Sequence, residues 1–332
     1  MSKQRYEIDR CEPQVAAVRQ GKIELHALTK GHYPGTPIPG NVLPGLSSIG
    51  FWDARGAQDW GLDTHCNEGI EIVFLETGSM AFVADHKTFD LHAGVFTITR
   101  PWQFHKLGAP NIGPGKLHWF ILDVGVTRPH QAWRWPKWVV LTKEDLDELT
   151  RKLRHNENPV WNSTPAIAHA FRDLARDIAN WDQPHAISRM TVHLNQVLIG
   201  ILDALKEQQS HEDEGLTSFQ RTVEIFLGEL RNHRIDLGED WTVERMAERC
   251  GMGVTAFSKY CREQVNCGPM EFLNQCRLDR AAQQLRKQPD LSITDVAFEN
   301  GFNSSQYFAT CFRKRFHQSP KKFTTKLKRD SA

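Results

Sequence analysis

The sequence predicts an α+β chain of two domains: a β-barrel followed by a helical segment, then an all-α domain of two helix-turn-helix units. Three observations carry that expectation. Short β-like runs crowd residues 23–124, the apolar period turns helical near Thr142, and one helical motif occurs twice, 50 or 51 residues apart. At 332 residues the chain is too long for one ordinary compact core and suits two.

Residues 1–22 are polar and unpatterned and predict a loosely attached arm. From Ile23 the runs IELHAL, LSSIGF, GIEIVFLETG, SMAFVAD, KTFDL, GVFTIT and KLHWFILDV follow one another, separated by Gly, Pro, Asn and Asp. Strands this short and close argue for a sandwich or barrel rather than a parallel α/β sheet. Thirteen of the 15 His and nine of the 10 Trp precede residue 215, so ring chemistry is concentrated in this half. Around Trp102, Gln103 and His105, with Trp119 on the next strand, indole faces and polar groups suit a sugar or another small polar effector. Core packing explains any single Trp as well. The run 127–141, with Trp133, Trp135 and Trp138, is expected to anchor across the outside of the barrel.

Thr142 and Asp145 form a capping-box pattern ahead of LTKEDLDELTRKLR, and Thr164-Pro165 opens a second helix with Ile167, Phe171, Leu174 and Ile178 on one face. A third helix, about 185–206, carries Ile187, Met190, Leu194, Val197, Leu198, Ile201 and Leu205. That stripe is broad enough to pack on the barrel and on a second subunit, which predicts a homodimer; a helical layer within one chain accounts for it equally. The polar stretch KEQQSHEDEG then reads as a linker. The expected division is 1–141 barrel, 142–206 helical dimerisation segment, 207–215 linker and 216–328 double helix-turn-helix domain.

In the second half, ITDVAFENGFNSSQYFATCFRKRFHQSP (293–320) combines two helical patterns with a turn at Gly301, Ser292 placed to cap the first helix. Tyr307, Phe308, Cys311, Phe312 and Phe316 form the expected buried stripe of the second helix, leaving Ser305, Gln306, Ala309, Thr310 and Arg313 outward. A short polar face ending in a cation suits a DNA major groove. The pattern occurs first in WTVERMAERCGMGVTAFSKYCREQVNCGPMEFL: Ala247 and Gly251 precede Ala297 and Gly301 by 50 residues, and Phe257, Arg262 and Pro269 precede Phe308, Arg313 and Pro320 by 51. Two such units joined by one helix can enter successive major grooves about 34 Å apart.

Ala297, Gly301-Phe302, Tyr307-Phe308, Phe312-Arg313-Lys314 and Ser319-Pro320 resemble the signature of the AraC/XylS family of bacterial transcription regulators, and Arg277-Leu278 with Ala281 resembles its linker helix. The resemblance implies base-facing Thr255, Ser258 and Lys259 in the first recognition helix and Ser305, Gln306 and Thr310 in the second, with Arg262 and Arg313 on phosphate. His317 stands where the family usually has Gly, Thr310 where an Arg often contacts DNA, and Gly253 where a Ser usually caps. Gly61-Leu-Asp-Thr-His65-Cys-Asn67 with Glu71 and Gly78, followed by Gly94 and Pro101-Trp-Gln-Phe-His105, resembles the two motifs of the cupin barrel, a sensor commonly fused to this domain. That resemblance implies an effector site at His65, Glu71, Trp102, Gln103, His105 and Trp119. It requires no cofactor; a divalent metal on His65, Glu71 and His105 is the alternative occupant, although Asn67 replaces one histidine ligand.

Charge agrees with this division. Residues 1–214 hold 22 Lys+Arg against 26 Asp+Glu and residues 215–332 hold 19 against 14, so only the second half, at +5, favours a polyanion. Seven scattered cysteines without a C-x-x-C pair exclude a zinc knuckle or disulfide framework. No apolar run approaches bilayer length and MSKQRYEIDR has no signal character, which predicts a cytoplasmic protein without membrane contact. The function expected is a non-enzymatic, ligand-responsive transcription regulator with double-stranded DNA, a small effector, a second copy of itself and RNA polymerase as partners. A metal-dependent cupin enzyme fused to a DNA-binding domain is the alternative.

Overall fold

The computed structural model describes residues 11–31, 33–208 and 218–330, and the chain divides into two compact units, Met1–Ser218 and Phe219–Ala332. Residues 1–10 of the expected arm and 209–215 of the expected linker lie outside the described residues.

The first unit begins with helix α1 (Glu12–Arg19) and is built on nine strands: β1 (Glu24–Thr29), β2 (Thr36–Pro37), β3 (Leu46–Ala54), β4 (Ile70–Ala84), β5 (Lys87–His92), β6 (Val95–Thr99), β7 (His105–Leu107), β8 (Gly115–Leu122) and β9 (Val160–Asn162). The sheet runs β2-β1-β3-β8-β4-β6-β9, with β5 and β7 branching from β4. All pairings are antiparallel except β1 with β2. At 15 residues β4 is long enough to serve twice: Ile70–Gly78 pairs with β8, and Ser79–Ala84 pairs with β5. Gly78 sits at the switch with φ 87°, and a Cβ there would lie 1.9 Å from the Pro114 carbonyl, so the bend requires glycine.

The expected cupin barrel is not formed. The sheet is open, ending at β2 and β9, which do not pair with each other. Its edges explain why: β2 is two residues long and ends in Pro37, which has no N–H to extend a ladder, while β9 stops after three residues before the helix that Pro165 opens. Strand spacing is the same in an open and a closed sheet; closure depends on a long-range pairing that periodicity does not encode.

Helices close the structure instead. α2 (Lys143–His155), α3 (Pro165–Ala179) and α4 (Ala186–Glu207) cover one sheet face. Thr142 Oγ1 accepts from Asp145 N at 3.2 Å and Thr164 Oγ1 from Ile167 N at 3.3 Å, so both helix starts are capped by threonine. Phe74, Phe120 and Phe171 stack across the sheet–helix boundary in a core that takes in Ile167, Leu174, Leu194, Val197 and Ile201. The other face holds a second core of Trp52, Val73, Phe82, Leu107, Trp119 and Ile121, over which β5 and β7 fold. Eleven of the 22 residues of α4 are buried within the chain, so most of the stripe expected at a dimer interface is already covered; Val192 and Ile199 remain exposed.

The second unit is all helical: α5 (Phe219–Arg231), α6 (Val243–Arg249), α7 (Val254–Val265), α8 (Pro269–Lys287), α9 (Ile293–Glu299), α10 (Ser305–Phe316) and α11 (Pro320–Asp330). It has two cores. Phe226, Leu230, Trp241, Met246, Phe257 and Cys261 form the first, and Val296, Phe302, Phe308, Phe312 and Phe323 the second. The central helix α8 feeds both, giving Phe272, Leu273 and Cys276 to one and Leu278, Ala281, Ala282 and Leu285 to the other. Among the described residues no helix is long and apolar enough to cross a membrane.

Candidate nucleic-acid interface and N-terminal polar cluster

Each helix-turn-helix is set by the same local devices. Thr242 caps α6 through Arg245 N at 3.2 Å, and Ser292 caps α9 through Asp295 N at 3.3 Å. Gly251 and Gly301 follow with φ 67° and 76°, the left-handed turn that a side chain resists. The second helix of each pair is then pinned by a fully buried phenylalanine, Phe257 in α7 and Phe308 in α10.

This pinning presents the expected faces. Thr255, Lys259 and Arg262 are exposed on α7 and Ser258 is half-buried; Gln306, Thr310 and Arg313 are exposed on α10 and Ser305 is half-buried. Among the described residues neither Arg262 nor Arg313 is engaged in an ion pair, whereas Arg315 is bound by Asp279 through Nε at 2.8 Å and Nη2 at 2.6 Å. Gln306 Oε1 accepts from Ser304 Oγ at 2.9 Å and Thr310 Oγ1 donates to the Gln306 carbonyl at 3.0 Å, so both side chains are held close to their own helix. Tyr307 departs from the expected buried stripe: it is 54% exposed, its ring 6.2 Å from Phe302, while Phe308 and Phe312 fill the core. His317, at the position where the family usually has Gly, adopts φ 56° at the end of α10.

The N-terminal cluster brings three of the six expected effector residues to one point. His65 and His105 face each other across a single bridge between their backbones, ring centroids 4.3 Å apart, and Glu71 enters from β4. One ligand atom from each of His65, Glu71 and His105 lies within 4.8 Å of the others. His65 Nδ1 donates to the Asp63 carbonyl at 2.7 Å and His105 Nδ1 to the Gln103 carbonyl at 2.9 Å. With both Nδ1 atoms committed, both Nε2 atoms turn inward. His105 Nε2 lies 2.7 Å from Glu71 Oε2, an ion-pair contact out of line for a hydrogen bond. Burial opposes charge on both groups, but their mutual attraction prevails, raising the His105 pKa and lowering that of Glu71.

A supporting layer orients the carboxylate. Asn67 Nδ2 donates to Glu71 Oε2 at 3.2 Å, Thr99 Oγ1 donates to the same oxygen at 3.3 Å, and Tyr33 Oη donates to Asn67 Oδ1 at 3.0 Å. Burial pushes the Tyr33 phenol well above its usual range, with Glu71 adding to the rise. Tyr33 and Thr99 carried no sequence signal, the first lying in the loop GHYPGTP and the second being one strand threonine among several. Asn67 thus serves as a link between Tyr33 and Glu71.

The remaining expected residues divide. Trp119 lines the adjoining cavity, its Nε1 donating to Ser48 Oγ at 3.0 Å. Trp102 does not line it: at 2% exposure, with φ 69°, it packs 5.9 Å from the Arg128 guanidinium. Gln103 turns its side chain to Asp85 at 2.9 Å and contributes only its carbonyl to His105. The cavity beside His65, Glu71, Tyr33 and Trp119 holds about 60 Å³. That volume is far below the several hundred Å³ of a typical small-molecule pocket, so the sugar reading loses its site.

A helix-turn-helix domain family matches residues 246–326. The transcriptional activator RhaS of Pectobacterium carotovorum is 28% identical over 265 residues, 77% of this chain and 85% of its own length. The transcriptional regulator MtrA of Neisseria gonorrhoeae is 35% identical over 95 residues, 28% of this chain and 31% of its own. A solved DNA-binding transcriptional dual regulator from Escherichia coli K-12, 25% identical, aligns over 34% of this chain and 94% of its own with a TM-score of 0.29, too low to carry structural detail across. The metal-dependent cupin enzyme alternative loses its basis, since the sheet is not a closed cupin barrel. The second unit is thus a tandem helix-turn-helix domain, and most of it is matched by a helix-turn-helix family.

Proposed function

We propose that the chain is a sequence-specific transcription regulator that places α7 and α10 in successive major grooves of one DNA face. The observation that carries this reading is the duplicated unit itself, with an outward polar face on each second helix beside an unpaired arginine. Thr255, Ser258, Lys259, Ser305, Gln306 and Thr310 then meet base edges, and Arg262 and Arg313 hold phosphate. The naming of a relative as an activator fits contact with RNA polymerase. The test is selection of binding sites from random DNA by the full-length protein, which should return two half-elements about one turn apart. Recovery of no sequence above background would sink the reading.

For the first unit, the inward Nε2 atoms, the oriented carboxylate and a cavity of about 60 Å³ favour a divalent cation such as Zn²⁺ over an organic effector. Two imidazoles and one carboxylate supply a suitable donor set, and the ion would act as a sensed ligand or a brace. Equilibrium dialysis of the full-length protein against Zn²⁺ should give one site, lost in His65→Ala/His105→Ala, while DNA affinity without metal is unchanged. Equal uptake by the double variant would place the metal elsewhere. Homodimerisation through α4 rests on exposed Val192 and Ile199; sedimentation as a monomer at high micromolar concentration would count against it.

A further inference from the structure

Two recognition helices read two grooves only if their separation and relative rotation are fixed. The two cores share a single helix, α8, and one shared helix leaves rotation about its own axis poorly determined. A second tie is therefore needed, and it lies at the midpoint of α8.

Arg277 sits between the set of α8 residues given to the first core and the set given to the second, and is only 8% exposed. Its Nε donates to the Leu237 carbonyl at 2.7 Å and its Nη2 to the Glu239 carbonyl at 2.9 Å, both in the α5–α6 loop of the first repeat. The same guanidinium covers Gly301, the turn of the second repeat, where a Cβ would lie 2.7 Å from Cζ and Nη2. Between the two carbonyls, Gly238 approaches the second repeat directly: a Cβ there would lie 3.2 Å from the Glu299 carbonyl. Among the described residues no carboxylate is within ion-pair distance of Arg277. A buried cation held by carbonyls is costly compared with an apolar side chain of the same size, so core stability does not explain its presence. A planar fork that bonds two carbonyls on one repeat while covering the turn of the other does fix an orientation.

We propose that Arg277 is a positioning residue that clamps the two helix-turn-helix units at one relative rotation and thereby sets the spacing between DNA half-elements that the protein accepts. This rests on the DNA-binding reading above, and the experiment separates the two.

The measurement is the affinity of the full-length protein for its selected site and for versions with one or two base pairs inserted between the half-elements. One inserted pair turns the second groove by about 35°, which should weaken the wild type about tenfold or more. In Arg277→Met the penalty should shrink to about threefold or less, with affinity for the optimal site also reduced; Arg277→Lys, which keeps the charge without the planar fork, should fall between. If Arg277→Met does not fold by circular dichroism, the same comparison is read in Arg277→Lys. A folded variant that binds every spacing more weakly in the same ratio, or that keeps the wild-type penalty, overturns the proposal. A wild type that selects no site overturns the DNA-binding reading, and this proposal with it.

Discussion

The two helix-turn-helix repeats agree in their interiors and turns and differ at the N-caps and in the last-turn charge of their second helices. Phe257 and Phe308 are both fully buried, Gly251 and Gly301 both take the left-handed turn, and Asn266 and His317 both end their helices at φ 56°. By contrast, Ser304 caps α10 through Tyr307 N at 3.2 Å, whereas Gly253 gives α7 no side-chain cap. The last turn of α10 carries Arg313, Lys314 and Arg315, that of α7 only Arg262. A duplicated fold keeps what packs and turns the chain. The helix ends and outer faces are free to diverge, and that freedom lets two copies grip two different half-elements.

The largest expected effect tests the shared interior. Phe257→Ala and Phe308→Ala should each destabilise by about 3–5 kcal/mol in denaturant unfolding, because each removes a fully buried ring from a small core. A cost below about 1 kcal/mol for one of them would mean that the repeats are not equivalent inside. Next comes the divergent face of α10. Gln306→Ala should relax preference at one base pair by about 1–3 kcal/mol, while Arg313→Ala should weaken all sequences alike and shallow the salt dependence. Identical effects of both changes on every sequence would remove the distinction between base-reading and phosphate-holding residues.

Legibility in the sequence followed the range of the interactions. The repeats were readable because their determinants are local: caps three residues from their targets, a glycine turn, aromatics at helical spacing. Tyr307 shows the limit, since its position on the stripe's edge left its exposure to be decided by packing against Phe302. The first unit depends on distant pairings. The run of β-strands was legible, but whether β2 met β9 was not, and the motif resemblance led to a closed barrel that the edges do not form. Within the polar cluster His65, Glu71 and His105 were legible only through the resemblance to the two cupin motifs. Trp102 and Gln103 were drawn in by adjacency to His105, yet they lie in the turn before β7, where Trp102 takes φ 69° and the Gln103 side chain bonds Asp85. Tyr33, which anchors Asn67 from a loop 34 positions away, left no periodic trace.

The smallest effects concern the caps, where the repeats differ by a single side chain. Ser304→Ala removes the acceptor for Tyr307 N and should cost about 1 kcal/mol. Gly253 already has an extended N-cap backbone, φ −75° and ψ 153°, and a Cβ there meets nothing within 4 Å. A serine at 253 therefore fits without strain, accepts from the first turn of α7 and lowers the entropy of the unfolded chain, a gain of a few tenths of a kcal/mol. Amide hydrogen exchange in the full-length protein resolves changes this small at the site where they act. Exchange in the first turn of α10 should accelerate in Ser304→Ala, and exchange in the first turn of α7 should slow in Gly253→Ser. If Gly253→Ser left α7 unchanged or loosened it, the missing cap would not be what distinguishes the two recognition helices, and the asymmetry would have to lie in their charged last turns alone.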